Sequence, residues 1–151
     1  MSQEIIAVAS DHGGFQLKEE VINILKNGGY GVDDCGTKDN SSVNYPEFGA
    51  MVAKKVSSGE ISRAILICGT GIGMSIVANK FPNVRATLCH NLFTAKMSRE
   101  HNNSNVLILG ERILNPVDAE GIVQTWLSTP FEGGRHQVRL DLITKIEKEI
   151  S

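Results

Sequence analysis

Five short apolar runs, alternating with longer stretches of helical period, constrain this chain more than any other feature. The runs are 4–10 (EIIAVAS), 30–36 (YGVDDCG), 63–68 (RAILIC), 84–89 (VRATLC) and 105–110 (NVLILG). Between the first two, Phe15, Leu17, Val21, Ile24 and Leu25 fall near helical spacing and stop at Gly28-Gly29. Pro46 opens a helix to about Ser58, because proline at a first helical position gives up a hydrogen bond the helix would not have made. Helices are also predicted over about 71–80, 92–101, 116–128 and 134–149, the last after Gly133-Gly134. Strands alternating with helices at this spacing predict an α/β fold, a parallel five-stranded sheet covered by helices on both faces.

The 151 residues suit a single domain over 1–151, large enough to bury a core without disulfide staples. With 21% charged residues, a formal charge of -2 and no long block of one sign, the chain has no footprint for nucleic acid or an anionic membrane. The N-terminal apolar run is short and soon followed by Asp11 and His12, unlike a signal peptide or a span, so the cytoplasm is the expected compartment. Cys35, Cys68 and Cys89 are odd in number and far apart, which predicts free thiols rather than disulfides or a zinc site. No His, Asp or Glu grouping has metal-ligand spacing, and no metal or cofactor is expected. Cys35 and Cys89 are expected to be structural.

In an open parallel sheet the ligand crevice lies beyond the carboxyl ends of the strands. The segments there are SDHGG (10–14), CGTKD (35–39), CGTGIG (68–73), CHN (89–91) and GER (110–112). The glycine loop is not a dinucleotide fingerprint, because Met74 stands at the third glycine position counted from Gly69. It is not a Walker A loop, because Met74-Ser75 replaces the lysine and hydroxyl pair. What survives is more general: glycines admit a ligand close to the backbone, and amides at a helix start favour an anion or an oxygen becoming one. Cys68, against that helix start, stands where a thiol ionises readily and can act as a base. The alternative is a small buried hydrophobe beside a tight corner.

The other polar groups carry similar pairs of readings. Asp11 is either a helix cap or a ligand group, with His12 beside it. His101, in SREHNNSN, either serves chemistry or favours the negative end of its helix. Arg112 could equally be a solvated surface residue. Arg135 and Arg139, four apart, share a helical face, with His136 alongside. Cations are disfavoured at a helix start, so a bound phosphate gripped by guanidinium forks would account for them; ordinary surface arginines are the alternative.

Taken in order, SDHGG, NYPEFG (44–49), CGTGIGMSIVANK (68–80), SREHNNSNVLILGER (98–112) and FEGGRHQVR (131–139) closely resemble the type B ribose-5-phosphate isomerases. That family also holds allose-6-phosphate isomerase and the galactose-6-phosphate isomerase subunits. The resemblance runs over essentially the whole chain. It implies a three-layer α/β/α sandwich on a Rossmann-like five-stranded sheet, a metal-free aldose–ketose isomerisation through a cis-enediolate, and a homodimer with shared active sites. The sequence does not fix whether dimers pair into tetramers.

By resemblance, Cys68 is the base that moves the proton between C2 and C1. The backbone of Gly69, Gly71, Ile72 and Gly73 cradles the enediolate oxygens, Thr70 handles their protons, and His101 is the acid that opens the furanose ring. Asp11, His12, Tyr45 and Asn102 resemble sugar-binding groups. Arg112, Arg135 and Arg139 resemble the phosphate grip, part of it supplied by the neighbouring subunit. One branch of the family has serine at the cysteine and a glutamate shortly after as base; Met74 stands in the place of that glutamate here, so the cysteine branch fits. The expected substrate pair is D-ribose 5-phosphate and D-ribulose 5-phosphate. A hexose 6-phosphate such as allose 6-phosphate is the alternative within that chemistry. A non-catalytic sugar-phosphate binding module and a thiol redox sensor are the alternatives outside it.

Overall fold

The computed structural model describes residues 3–151. Strands β1 (Ile5–Ser10), β2 (Gly31–Asp34), β3 (Arg63–Cys68), β4 (Ala86–Leu88) and β5 (Val106–Gly110) form one sheet in the order β2-β1-β3-β5-β4, every pair parallel. The helices are α1 (Phe15–Asn27), α2 (Tyr45–Ser57), α3 (Ile72–Ala78), α4 (Leu92–Glu100), α5 (Pro116–Ser128) and α6 (Arg135–Ile150). The α/β prediction therefore holds.

The two-residue period of the strands divides the core. Ile6, Val8, Ile65, Ile67, Leu107 and Leu109 face α1 and α5, where Trp126 is fully buried. Ala7, Ala9, Ala64, Leu66 and Ile108 face α2 and α3. Because both faces are covered, β3 and β5 are almost continuously apolar, which is why their sequences do not alternate. Trp126 Nε1 donates to Ser104 Oγ at 3.0 Å, so the largest core side chain is anchored at its one polar atom.

Three boundaries are shorter than predicted. β2 and β4 each pair with one strand, β1 and β5, and end at Asp34 and Leu88, after which hydrogen bonds such as those from the Thr37 N–H to the Ser10 carbonyl and from the Cys89 N–H to the Ile108 carbonyl still tie the chain to that neighbour. α3 spans seven residues rather than about ten: Gly71 enters it with φ +83°, and Asn79 ends it. The Asn79 side chain donates to the carbonyls of Ser75 and Ala86 and accepts from the Ala86 N–H, which ties the helix end to β4.

The strand order reverses direction between β1 and β3, the place where open α/β sheets bind ligands. Outside the two cores, α6 buries only His136 and Leu140 and leaves Val138, Leu142, Ile143, Ile146 and Ile150 exposed. Among the described residues no helix is long and apolar enough to cross a membrane.

Candidate active site

At the β1/β3 reversal a cleft of about 430 Å³ opens, with Asp11, His12, Tyr45, Cys68, Thr70 and Arg112 on its wall. Each element delivers its residue for a local reason. β1 ends at Ser10, and Asp11 accepts a hydrogen bond from the Gly14 N–H (3.1 Å), capping a 3₁₀ turn over His12–Gly14. The capping reading of Asp11 is thus correct, and the same residue lines the cleft. The Val43 N–H donates to His12 Nδ1 (3.1 Å), which assigns the ring proton to Nε2. Tyr45 opens α2 and lies over Gly73, where a Cβ would collide with the ring.

Cys68 ends β3 and is 5% exposed. The Gly71 N–H donates to its Sγ at 3.2 Å, a bond that a thiolate accepts more strongly than a thiol. The helix start beside Cys68 is that of α3, only seven residues long, and the group aimed at Sγ is this single amide. Thr70 Oγ1 accepts from the Ile72 N–H (3.3 Å), leaving its hydroxyl proton free to donate.

β5 supplies the other rim. The Glu111 N–H donates to the Cys68 carbonyl (3.0 Å) and the Arg112 N–H to the Gly69 carbonyl (2.9 Å), so the turn after β5 is fastened to the glycine loop. The Arg112 guanidinium lies against Gly69, where an added Cβ would come within 3.2 Å of Cζ. Glu111 Oε1 accepts from the Leu17 N–H (2.7 Å), which locks the same turn to the start of α1.

His101, Asn102, Arg135 and Arg139 are not brought to this cleft. His101 and Asn102 follow α4 and precede β5, at the edge where strands enter the sheet, whereas Cys68 pairs with Gly110 at the edge where they leave. At about 3.3 Å per residue, β5 alone separates the two edges by roughly 15 Å. They belong to a second cluster. The His101 ring stacks on His136 (centroids 4.2 Å apart, planes 15° apart), with Glu132 3.8 Å from His101 Nε2. Arg135 and Arg139 lie in the first turns of α6, exposed and without a salt bridge among the described residues. Burial, with His101 and Arg135 next to it, pushes the His136 proton affinity below that of an ordinary histidine.

Sequence reasoning gave no role to Ile76 on the cleft wall or to Glu132 in the second cluster, placed Gly13 in the crevice only as part of SDHGG, and singled out His136 only as a cation beside Arg135 and Arg139. Cys35 and Cys89 are free thiols whose titration is pushed up, chiefly by burial, and neither lines the cleft.

The ribose/galactose isomerase family profile matches residues 6–143. The chain belongs to the ribose/galactose isomerase family. Among family members, it is 46% identical to ribose-5-phosphate isomerase B of Escherichia coli over 143 residues, 95% of this chain and 96% of that protein. A solved structure of Clostridium thermocellum ribose-5-phosphate isomerase B superposes with a TM-score of 0.95 at 53% identity, covering 97% of this chain and 99% of that one. The Mycoplasma genitalium ribose-5-phosphate isomerase B, solved with bound ribulose-5-phosphate, superposes at 0.93 with 40% identity and 99% of both chains covered. The family's fold matches the sandwich described above.

Proposed function

We propose that this chain interconverts D-ribose 5-phosphate and D-ribulose 5-phosphate, as a single-domain cytoplasmic enzyme working as a homodimer. The observation that carries the chemistry is the pairing of Cys68 Sγ with the Gly71 amide at the mouth of a glycine loop, inside the cleft. The ribulose-5-phosphate complex of the Mycoplasma genitalium relative supports the choice of substrate.

Proton removal beside a carbonyl needs a base that is deprotonated at working pH and donors aimed at the oxygen that gains charge. The Cys68 thiolate takes the proton from C2 of the open-chain aldose. The C2–H electrons form the C1–C2 double bond of the cis-enediolate, and the carbonyl oxygen at C1 becomes the oxyanion. Backbone amides of residues 69–73 hold the two oxygens, and the free Thr70 hydroxyl passes the proton between them. Cys68 returns its proton to C1, giving the ketose with atoms and charge balanced. His101 protonates the ring oxygen when the cyclic sugar opens, and Asp11, His12, Tyr45 and Asn102 hold the sugar hydroxyls. Arg112, Arg135 and Arg139 bind the phosphate, whose binding energy orients the reacting carbons.

This division of labour requires two chains. The cleft supplies Cys68, and the partner's His101, Asn102, Arg135 and Arg139 complete it, since within one chain they lie at the opposite edge of the sheet. The exposed apolar row of α6, which follows directly on Arg135, is the surface that brings the second chain there.

The deciding assay is ribulose 5-phosphate formation from ribose 5-phosphate in EDTA, wild type beside Cys68→Ala. Metal-independent turnover that falls by about 10²–10⁴-fold in the variant, with calorimetric substrate binding retained, is expected. Retained turnover in Cys68→Ala would remove the thiol as base. A higher kcat/KM for allose 6-phosphate than for ribose 5-phosphate would move the substrate to the hexoses.

A further inference from the structure

The proposed reaction gives His101 a task but leaves Glu132 and His136 without one. His136 is 6% exposed, yet its Nε2 has no hydrogen-bond partner among the described residues, a costly state for a buried imidazole nitrogen. Glu132 is held beside it by the backbone: its N–H donates to the Glu100 carbonyl (3.1 Å), next to His101. One ligand atom from each of His101, Glu132 and His136 lies within 4.8 Å of the others. Separations of 31 and 4 residues hid this group from spacing arguments, which had pointed to no metal-ligand set.

We propose that His101, Glu132 and His136 form a site for a divalent transition metal of the zinc type, and that its occupation reversibly inhibits isomerisation. The inhibitory part rests on the role assigned to His101 above. Two imidazoles and one carboxylate make a three-donor set of the kind that holds zinc with a further position left for an exchangeable ligand. Bonds of about 2.0–2.2 Å bring tetrahedral ligand atoms to about 3.4 Å from one another, so the cluster must contract. His136 is the fixed donor because it is buried. Glu132 and His101, with side chains 50% and 40% exposed, are free to turn toward it. Two parallel stacked rings cannot both hold one ion in their planes, so His101 is the ring that rotates. That rotation takes it out of the pose needed to protonate a sugar ring oxygen.

Arg135 and Arg139 oppose a further cation, while the Glu132 carboxylate offsets part of their charge. This balance suits a reversible ligand rather than a structural ion.

Zinc ion alone is titrated against a chromophoric chelator with the full chain as wild type, Cys68→Ala, Glu132→Gln and His136→Asn. One ion per chain is expected in wild type and in Cys68→Ala, with affinity at least about tenfold weaker in Glu132→Gln and His136→Asn, the scale at which even outer partners of a metal act. Zinc inhibition of Glu132→Gln, measured against that variant's own zinc-free turnover, moves to at least about tenfold higher concentration. Loss of binding in Cys68→Ala would put the ion on the thiol and overturn the proposal. Unchanged affinity in Glu132→Gln, or no binding by wild type, would overturn it too. Zinc bound at this site without inhibition would remove the inhibitory role. The binding titration needs no turnover, so its outcome is separate from that of the isomerase reading.

Discussion

Three cysteines with the same side chain have three different environments. Cys68 is buried with an amide aimed at its sulfur in the cleft, Cys89 is buried away from the cleft, and half-buried Cys35 lies beside Asp33. The consequence for the last two is a pH dependence of stability. An unfolded thiol loses its proton near the ordinary 9.0, while Cys89 in the fold holds its proton to higher pH. Above about pH 9 the folded chain therefore binds more protons than the unfolded one, and stability falls as pH rises. Urea unfolding from about pH 8 to about pH 10 should show this decline, with a shallower slope in Cys89→Ala than in wild type; equal slopes would contradict it. Gly71 is as constrained as Cys68. At φ +83° a side chain is strained, and a Cβ there would meet Leu88 Cδ1 at 2.5 Å. Gly71→Ala should cost about 1–3 kcal/mol in chemical unfolding and also lower turnover, because it displaces the amide aimed at Sγ. Wild-type stability in that variant would show that the loop adapts freely.

At the level of elements, strands and helices were legible because apolar period and glycine or proline stops are local properties. The edge strands β2 and β4 were less so, since their length depends on how far a neighbour runs. Lys18 shows the same limit: it reads as a polar surface residue of α1, yet it is 1% exposed and paired with Asp34 at 2.9 Å, a partner contributed by β2. The α6 helix is the opposite case. Its sequence suggests an ordinary terminal helix, and only the fold reveals that Leu142, Ile143, Ile146 and Ile150 have nothing in the chain to pack against. Each such side chain gains on the order of 1.5–3 kcal/mol on full burial, so the row favours association. Ile146→Glu, on an exposed face, should leave the monomer folded and shift sedimentation velocity from dimer to monomer. Turnover should fall with the dimer by about 10²-fold or more, the scale of a lost general acid or base. An active monomer would contradict the shared site.

For the whole molecule, the residues of the candidate site were legible one by one, through the motifs that carry the family resemblance. Their grouping was not. Asp11, His12, Tyr45, Cys68, Thr70 and Arg112 meet because the sheet order reverses between β1 and β3, which no local pattern encodes. His101, Asn102, Arg135 and Arg139 stay at the other edge, and the proposed function has a second chain close the gap. Two inactive variants, each broken in a different half, should then repair one another. Cys68→Ala and His101→Asn chains, unfolded and refolded together in equal amounts, give mixed dimers in about half of the population, each with one intact site of two. Turnover of cyclic ribose 5-phosphate should rise to about one quarter of wild type, well above either variant alone. A mixture no more active than the average of its two parents would mean that Cys68 and His101 of one chain serve the same site, and the two-chain site would be wrong.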